Sequence, residues 1–363
     1  MLNVGIFFGS KSVEHEISII TANQVLSSID RRKYNVIPIY ISKKGEWFTG
    51  KILENIENFK DIDFMLKKAK KIDVILPQKN KLVLKSGLKK YYIDFCFLAF
   101  HGTNGEDGTF QGMCQFFGIP FSGSDFYSSA FSMDKVITKI LLKENSIPMV
   151  DFKYTTKPSE DFFKKCEEEL SYPMIVKPAR LGSSIGISKV DNREGLKEAI
   201  ELVLKFDDKV LVEKWIDAKE VNCAVMGYKN ILVSKLEEIV KEKELFDFEE
   251  KYFKKGKKFS NHIIPANLDE KLAKEVKKVA IETFKALECA GNVRIDFLVT
   301  DKVYVNEVNS IPGALAFYLW QQSGFTFSQI IDNMINIGLE RAKDKENKIL
   351  SINTNLLNLK VGK

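Results

Sequence analysis

Common signatures of nucleotide-binding and metal-binding proteins are missing from this sequence. It has neither the GxGxxG fingerprint of dinucleotide-binding folds nor a Walker A sequence, which argues against a plain dinucleotide fold and against a P-loop NTPase. The five cysteines in 363 residues include no CxxC pair, so free thiols in a reducing compartment are expected rather than disulfides or a zinc site. No apolar run reaches the length of a membrane span, and no signal peptide is recognisable at the N-terminus. A cytoplasmic protein is therefore expected.

The balance of charge also limits the choice of partner. The formal net charge is +6, and the lysines are spread along the chain rather than grouped with aromatic residues in a basic stripe. A solvated surface is the simplest interpretation, and a modest positive charge suits anionic small substrates such as nucleotides better than nucleic acid. With 45% hydrophobic residues over 363 positions, the chain can build two or three domains with cores of their own.

The first third of the chain alternates short apolar strands with helical patterns. Val4–Phe8, Val36–Ile41 and Phe95–Phe100 are continuous apolar runs, and Ile17–Ile29 has helical spacing. Buried strands separated by helices predict a parallel sheet covered on both faces, which is a doubly wound α/β domain. Ligands bind beyond the carboxyl ends of such strands, and polar loops follow the first and the last of these strands in the sequence.

The remaining predicted elements include one long segment without a regular pattern. Residues 237–262 are rich in Lys, Glu and Phe and have no clean period, which predicts a long functional loop. The other predicted elements are a helix at 124–145, a linker at 153–161 that contains Pro158, strands at 173–178, 185–190, 210–215 and 221–236, helices at 193–206, 269–287 and 327–342, and a β-hairpin of 293–299 and 303–308.

The hairpin carries the most informative pattern of polar residues. If it turns at residues 301 and 302, Asp296 lies opposite Glu307 and Arg294 lies opposite Asn309. Because side chains alternate along a strand, all four then share one face of the sheet. Facing carboxylates repel each other unless something lies between them, and Asp, Glu and Asn oxygens are ligands that suit magnesium. A metal site is the favoured interpretation, and a solvated strand face with an Arg–Asp pair is the alternative.

A second pattern combines a buried lysine with a loop of small residues. Lys177 stands in an apolar strand, and Gly182–Gly186 leads directly into the next strand. Backbone N–H groups of such a loop can approach phosphate oxygens closely, and the lysine supplies a point charge. A tight β-turn that binds no ligand is the alternative.

A third pattern is the strand end Leu211–Glu220, in which apolar and polar residues alternate. Its backbone could line an adenine-binding pocket, with Glu220 in contact with the ribose hydroxyls. An edge strand without a ligand is the simpler interpretation of this segment taken alone.

Together the three patterns resemble the ATP-grasp fold, and the match narrows to the D-alanine–D-alanine ligase family. The matching segments are Ser12–Ser18, His101–Gly112, Ser132–Lys135, Lys177–Gly186, Glu213–Trp215, Phe246–Tyr252 and Arg294–Gly313. The resemblance runs from about residue 2 to residue 340, and seven motifs in order are far more specific than any one of them. It implies ATP-dependent joining of two D-alanines through an acyl-phosphate, for synthesis of a peptidoglycan precursor.

The resemblance also implies a set of nucleotide and metal contacts, with ATP and two magnesium or manganese ions as cofactors. It assigns ATP phosphates to Lys135, Lys177 and Lys251, the nucleoside to Glu213, Lys214, Trp215, Ile216 and Glu220, and the metal ions to Asp296, Glu307 and Asn309, with Asn309 also near the nucleotide. Lys251 would close over the phosphates from the loop at 237–262, and a closed loop keeps water away from a reactive intermediate.

For the amino acids, the resemblance implies that Glu14 orients the ammonium group of the first substrate. Ser183 and Tyr252 would form a hydrogen-bonded link with Glu14 that seals the loop. Arg294 and the N–H group of Gly313 would stabilise the charge of the tetrahedral intermediate.

Two further residues lie near the amino-acid pocket in this resemblance. His101 either contacts the pocket or is a structural histidine. Tyr318 stands where the family usually has a serine that contacts the carboxylate of the second substrate, which leaves the acceptor open. D-lactate, D-serine or another amino acid is therefore the alternative acceptor, and a nucleotide-binding regulator without catalysis is the alternative of another class.

The expected organisation has an N-terminal α/β domain at residues 1–125 and a two-part ATP-grasp α+β unit. The central part spans 126–215, the C-terminal part spans 216–345 with a lid at 237–262, and a polar tail follows at 346–363. A homodimer is the family expectation, with no nucleic-acid or membrane partner.

Overall fold

The computed structural model of the protein describes residues 1–78, 80–241 and 260–349, together with residues 351, 352 and 354. Within these residues no helix is both long and apolar enough to cross a membrane. The strands are β1 (Leu2–Gly9), β2 (Tyr34–Ile41), β3 (Trp47–Thr49), β4 (Lys70–Gln78), β5 (Lys81–Ser86), β6 (Lys89–Ile93), β7 (Phe95–Leu98), β8 (Phe152–Thr155), β9 (Met174–Pro178), β10 (Ser188–Val190), β11 (Val210–Lys214), β12 (Lys219–Gly227), β13 (Ile231–Lys241), β14 (Ser260–Ile263), β15 (Gly291–Val299) and β16 (Val303–Asn309). The helices are α1 (His15–Ser28), α2 (Ile62–Lys68), α3 (Thr109–Phe116), α4 (Phe126–Met133), α5 (Lys135–Glu144), α6 (Glu160–Glu169), α7 (Arg193–Val203), α8 (Glu270–Ala286), α9 (Phe317–Gln322) and α10 (Phe327–Glu346), with short 3₁₀ turns at Lys51–Glu54, Ile56–Lys60 and Gly313–Ala316.

The N-terminal sheet has seven strands in the order β6-β5-β4-β3-β2-β1-β7. β1 pairs in parallel with β2 on one side and β7 on the other, which confirms the expected parallel sheet. Strands β2 to β6 extend it as an antiparallel meander that the sequence patterns did not predict. Antiparallel neighbours can be joined by a tight turn, whereas parallel neighbours need a long crossover. The connections from β2 to β3, from β4 to β5 and from β5 to β6 are short, and only β3 and β4 are joined by a longer segment, which contains α2.

The parallel strands bring the two polar loops together. β1 and β7 pair in parallel, so both strands end at the same edge of the sheet, and the last six residues of β1 and all of β7 are buried. The loop after β1 and the loop after β7 meet there, where the Ser12 hydroxyl donates to the His101 carbonyl at 2.8 Å. The carboxyl edge of this sheet therefore forms one wall of the site.

The second sheet has four strands in the order β10-β9-β11-β8, all antiparallel. Its edge strand β8 takes up the first three residues of the segment predicted as a linker at 153–161, and α6 begins at Glu160 within the same segment, so the predicted linker is too long and only residues 156–159 connect the two elements. None of the four residues of β8 is fully buried, and such a strand lacks the apolar run that marks a central strand. The predicted strand at 185–190 is shorter, because only Ser188–Val190 pair with β9.

The third sheet has five antiparallel strands in the order β14-β13-β12-β15-β16. Apolar residues of α8 and of this sheet share one hydrophobic core, which leaves the other face of the central strands for polar residues. The predicted loop at 237–262 is wrong at both ends, because β13 continues to Lys241 and pairs with β14 from Ser260. Residues 242–259 of that loop lie outside the described part of the chain.

The predicted helix at 124–145 is in fact two helices, α4 and α5. Asp134 separates them, and its carboxylate accepts the N–H groups of Val136 and Ile137 at the start of α5. A carboxylate in this position satisfies N–H groups that have no partner inside the helix. Leu142 of α5 packs in the core of the third sheet, although the sequence placed this segment with the second.

Candidate active site

The polar face of the third sheet carries the residues that the hairpin pattern predicted. Asp296 lies opposite Glu307, and Arg294 lies opposite Asn309, as expected. From Val293 onward, strand β15 alternates buried and half-buried residues, with Arg294 and Asp296 among the half-buried ones. The alternation of the strand thus gathers these four side chains on one surface.

The hairpin reaches this register in a way that the sequence did not predict. Its tip is longer than expected, since Val299 rather than Thr300 lies opposite Val303. A β-bulge after Asp296 restores the register, and Asn306 is the additional residue without a partner on β15. Bulges bend a strand and redirect side chains next to active sites.

Arg294 and Asp296 form a bidentate ion pair on this face. Arg294 donates from Nε to Asp296 Oδ1 at 2.7 Å and from Nη2 to Asp296 Oδ2 at 2.8 Å, and Asn309 donates to Asp296 Oδ2 at 3.2 Å. Burial alone would lower the pKa of Arg294, but Asp296 raises it well above its usual range. Burial raises the pKa of Asp296, and Arg294 offsets this only in part because Glu307 and Glu220 add negative charge.

The residues present fit an oxygen-ligated divalent cation. Among the described residues no group of three His, Cys, Asp or Glu side chains surrounds a common point, so such a cation would rest on two carboxylates and one amide: Asp296, Glu307 and Asn309. Glu307 raises the pKa values of both Asp296 and Glu106, which shows mutual repulsion among carboxylates that a cation would relieve. Carboxylate and amide oxygens with open positions are the kind of set that suits Mg²⁺.

Two lysines from other elements face the hairpin. Lys135, at the start of α5, donates to the Leu181 carbonyl at 2.7 Å and lies 3.6 Å from a Glu307 oxygen. Lys177, on β9, donates to Asn306 Oδ1 at 3.2 Å. The bulge in β16 therefore supplies the amide that contacts Lys177, and both predicted phosphate-binding lysines converge on the predicted metal face.

Glu213 holds two buried lysines at once. Its carboxylate lies 2.5 Å from Lys177 Nζ and 2.6 Å from Lys139 Nζ, and all three side chains are at most 6% exposed. Burial alone would raise the pKa of Glu213, but the two ammonium groups lower it to about 2. Burial also lowers the pKa of Lys139, and Glu213 offsets this in part. The cluster has one cation more than it has anions, a charge state that favours an anionic ligand.

Sequence reasoning missed Lys139. It follows Lys135 by four residues on α5 and therefore lies on the same side of that helix, which could have marked it as a second inward-facing lysine. In the structure it is 1% exposed and contacts Glu213 rather than the hairpin.

Replacing Lys139 with methionine is expected to weaken ATP binding about tenfold. Glu213 would then hold Lys177 alone, and releasing a lysine from a charge-assisted bond to meet a phosphate costs about 1.5 kcal/mol or more. Isothermal titration with a non-hydrolysable ATP analogue measures the effect. Lys143→Met, an exposed lysine at the end of the same helix, is the matched control. Equal affinities of the two variants for the ATP analogue would show that the charge of Lys139 has no effect on ATP binding.

The loops at the carboxyl edge of the first sheet place Glu14 against the loop of small residues at Gly182–Gly186. Ser183 donates a hydrogen bond to Glu14 Oε1, which is one half of the link predicted for Glu14, Ser183 and Tyr252. Gly102 permits this approach, because a Cβ at its positive φ of +68° would lie 2.6 Å from Ser12 Oγ and 2.8 Å from Glu14 Oε2. Tyr252 lies outside the described residues, as does Lys251.

Glu106 is a buried carboxyl that the sequence reasoning passed over, although it stands within the His101–Gly112 motif. It accepts the N–H groups of Gly102 at 3.1 Å and Ile311 at 3.3 Å, and so joins the first sheet to the turn that follows Asn309. Burial and the nearby Glu14 raise its pKa to about 8. Glu106 thus fixes the relative position of the two loops.

His101 is a structural connector next to the site. Its Nε2 lies 2.8 Å from the hydroxyl of Thr21, and that hydroxyl accepts the N–H of Ala314 at 3.2 Å. Ala314, Leu315 and Ala316 all have positive φ values, from 48° to 52°, a conformation that costs about 1–2 kcal/mol per residue. The Thr21 contact helps to hold this left-handed turn immediately after Gly313, whose own Cβ position opens onto free space.

The stability of the protein should depend on pH through His101. Burial lowers its pKa to about 4 from the ordinary 6.5, so the unfolded chain binds a proton more readily than the folded one. Its contribution is present above pH 6.5 and is lost as the pH falls toward 4, by about 3 kcal/mol in total. Denaturant unfolding of the wild type and His101→Gln between pH 7 and pH 4 should show that the difference between their free energies of unfolding changes with pH. A difference that stays constant over this range would contradict a buried neutral histidine.

The residues predicted around the nucleoside occupy the end of β11 and the start of β12. The Lys214 side chain is exposed, and Trp215 and Ile216 are half-buried. Lys189 Nζ lies 3.9 Å from the centre of the Trp215 ring. Glu220 is half-buried and close enough to Asp296 to raise the pKa of that carboxyl, so this segment borders the predicted metal face.

Models of a two-part protein family match most of the chain. The model described as "D-ala D-ala ligase N-terminus" matches residues 3–124, and the one described as "D-ala D-ala ligase C-terminus" matches residues 141–336. The chain belongs to the D-alanine–D-alanine ligase family. It is therefore an ATP-dependent ligase that forms a carbon–nitrogen bond.

Curated members of the D-alanine–D-alanine ligase family match the chain over its full length. The D-alanine–D-alanine ligase of Thermosipho melanesiensis is 73% identical over 363 residues, and that of Thermosipho africanus is 63% identical over 367 residues. Both alignments cover 100% of this chain and 100% of the relative. Such coverage extends the family assignment to the regions between the two matched models.

Solved structures of the family share the fold. The D-alanine–D-alanine ligase of Coxiella burnetii has a TM-score of 0.84 at 29% identity and covers 95% of this chain and 96% of its own. The VanG D-Ala:D-Ser ligase of Enterococcus faecalis has a TM-score of 0.82 at 32% identity and covers 93% of this chain and 99% of its own. The ATP-grasp architecture is thereby confirmed.

Proposed function

We propose that this ligase joins two D-alanine molecules through an acyl-phosphate, with the residues of the third-sheet face as its catalytic centre. The observation that supports this most is the convergence of three elements. The hairpin face with Arg294 and Asp296 meets Lys135 from α5 and Lys177 from β9. Cations and carboxylates arranged in this way suit transfer of a phosphoryl group to a carboxylate.

In the first step the carboxylate of the first D-alanine attacks the γ-phosphate of ATP, and ADP leaves. Lys135 and Lys177 neutralise the phosphate charge, and Lys177 is released from Glu213 to do so. Glu14, which accepts a hydrogen bond from Ser183, would orient the ammonium group of that substrate, because a carboxylate can accept several hydrogen bonds. Two Mg²⁺ ions held by Asp296, Glu307 and Asn309 would neutralise further phosphate charge when bound.

In the second step the amine of the second D-alanine attacks the acyl-phosphate carbonyl. The carbonyl oxygen gains negative charge, which Arg294 and the Gly313 N–H would stabilise. Gly313 offers an unobstructed backbone here, since nothing lies within 4 Å of its Cβ position. The bond from carbon to phosphate oxygen then breaks, and inorganic phosphate leaves with the amine proton lost to water.

We further propose the division into residues 1–125, 126–215 and 216–345, each built on one of the three sheets. Residues 237–262 would act as the lid, with Lys251 and Tyr252 as its contacts to ATP and Glu14. A homodimer in the cytoplasm, supplying the dipeptide for cell-wall precursors, agrees with the family expectation and with five free, buried cysteines.

The proposal is tested by phosphate release with ATP, Mg²⁺ and a panel of amino acids, alone and in pairs. D-alanine alone should support turnover, since it can occupy both amino-acid positions, and mass spectrometry should find D-alanyl-D-alanine. L-alanine should not replace it. Product formed only when D-serine or D-lactate accompanies D-alanine would overturn the assignment of the acceptor and leave the ligase chemistry intact.

A further inference from the structure

Three consecutive residues after Gly313 hold a backbone conformation that their side chains disfavour. Ala314, Leu315 and Ala316 have φ values of 48°, 52° and 49°, which lie in the left-handed region. Glycine adopts this region readily and asparagine does so occasionally, because other side chains meet the following carbonyl group there. None of the three is glycine or asparagine, so contacts with the rest of the protein must hold the turn.

A buried amide on β15 contacts the middle of this turn. Asn292 donates from Nδ2 to the Leu315 carbonyl at 2.7 Å, and its Oδ1 accepts the indole N–H of Trp320 at 2.9 Å. All three residues are 0% exposed. A carbonyl only accepts and an indole N–H only donates, so these two partners fix the orientation of the amide. Asn292 thus ties the turn both to β15 and to the helix α9 that follows it.

Asn292 lies on the same face of β15 as Arg294 and Asp296. The three residues occupy alternate positions of the strand, and side chains of a strand point alternately to its two faces. The polar row of β15 therefore continues from the ion pair into the buried amide. The strand that carries the guanidinium group also holds the turn that follows Gly313.

His101 shows that Arg294 lies near the segment that leads to Gly313. The pKa of His101 is lowered by burial, raised by a hydrogen bond with the backbone of Ile311 and lowered by the charge of Arg294. The guanidinium group and the backbone just before Gly313 therefore both lie beside the same imidazole. The spacing between Arg294 and Gly313 is thus set by packed neighbours on both sides of the turn.

We propose that Asn292 is a positioning residue, which holds residues 314–316 in the left-handed turn and thereby sets the place of the Gly313 N–H for the second chemical step. Because Asn292 and Arg294 share one strand face, the two groups proposed for the oxyanion keep a fixed spacing. The inference rests on the proposed function, since it needs both groups to act on the oxyanion. Asn292 is fully buried and acts only through the turn, so its loss would misplace one oxyanion donor and leave the phosphate-binding lysines where they are.

The first test separates turnover from binding. Asn292→Leu removes both hydrogen bonds of the amide and keeps a side chain of similar size. We expect kcat for dipeptide formation to fall about tenfold or more, because a misplaced donor loses part of the factor of about 10²–10³ that an oxyanion contact supplies. The KM for ATP and the affinity for a non-hydrolysable ATP analogue should stay within about twofold of the wild type, since neither depends on charge that forms in the transition state.

The second test uses glycine to favour the left-handed turn in another way. Ala314 is half-buried, and glycine at this position keeps the N–H that the Thr21 hydroxyl accepts. We expect Ala314→Gly alone to raise the melting temperature by about 2 °C, because glycine adopts a positive φ without steric hindrance. Combined with Asn292→Leu, it should recover kcat about fivefold, which corresponds to about 1 kcal/mol of relieved strain.

The matched control is Ala273→Gly, which changes a half-buried alanine in the right-handed helix α8. Glycine destabilises such a helix, so the control should lower the melting temperature and recover no activity when combined with Asn292→Leu. Thermal melts identify any variant that is unfolded. If Asn292→Leu does not fold, Trp320→Phe takes its place, since it removes the indole N–H that orients the amide and keeps an aromatic ring in the core. It should lower kcat about threefold at unchanged ATP affinity.

A folded Asn292→Leu protein with the kcat of the wild type would overturn the proposal, and so would a wild-type kcat in Trp320→Phe if that variant has to replace it. A melting temperature that falls as much in Ala314→Gly as in Ala273→Gly would also overturn it, because the turn would then carry no strain that glycine relieves. Failure of the proposed function looks different: the wild type would form no dipeptide from D-alanine, while the two glycine variants would still differ in melting temperature.

Discussion

Arg294→Ala is expected to reduce dipeptide formation by about 10²–10³-fold while ATP still binds. The guanidinium group is always charged, and two of its N–H groups are committed to Asp296, which holds its plane fixed on the catalytic face. Its remaining donors can meet the oxyanion that forms during amine attack. Charge that develops mainly in the transition state affects turnover more than ground-state binding. Steady-state kinetics together with titration of an ATP analogue measure the two effects separately.

The alternative role for Arg294 is to balance buried negative charge. Asp296 would then lose the cation that offsets its burial, and Arg294→Ala would first lower the melting temperature. A thermal melt of the variant is therefore part of the experiment, and Arg294→Lys is the control that keeps the charge without the bidentate geometry. A folded Arg294→Ala protein with near-normal turnover would remove Arg294 from the catalytic step.

Glu307→Gln should abolish magnesium-dependent turnover, with a loss of at least about 10²-fold. The variant removes one of the two facing carboxylates, and a metal ion contributes several kcal/mol of charge stabilisation in reactions of this kind. Titration of Mg²⁺ in the presence of an ATP analogue should show weakened metal binding. The loss of repulsion should also lower the pKa values of Asp296 and Glu106, since Glu307 raises both.

A surface carboxylate provides the matched control for Glu307. Glu340 on α10 pairs with Lys229 at 3.2 Å and is 45% exposed, so Glu340→Gln should leave turnover and metal affinity unchanged. Exposed ion pairs of this type contribute little to stability. Unchanged metal affinity in Glu307→Gln would make Glu307 an ordinary strand residue and would leave the lysines as the main phosphate-binding groups.

The sequence alone determined which side chains share one face of the hairpin. The alternation of Arg294, Asp296, Glu307 and Asn309 predicted which side chains meet, because a strand repeats every two residues and a hairpin brings its two strands into register. The same local logic predicted β1, β2 and β7 and the helices α1, α7, α8 and α10. The ordered motifs identified the family, and the contact between Glu14 and Ser183 followed from that resemblance even though 169 residues separate the two.

Other features were decided only by the tertiary structure. The bulge that turns Asn306 toward Lys177 changes nothing in the polar pattern of the hairpin, so no periodicity could reveal it. The half-buried strand β8 lacks an apolar run, and the strands at the ends of the predicted loop became recognisable only through their pairing with each other. In each case a neighbour in space, and not the segment itself, determines the structure.

The charged partners of Lys139 and Tyr318 show the same limit. Lys139 looked like one more surface lysine, yet the packing of α5 against the second sheet buries it beside Glu213. Tyr318 looked like a substitute for a serine, yet its hydroxyl reaches Glu237, which lies 81 residues away in the sequence. A sequence pattern reports which face of an element a side chain occupies. Whether a charge on that face is satisfied depends on distance and desolvation between elements, and only the assembled fold sets those quantities.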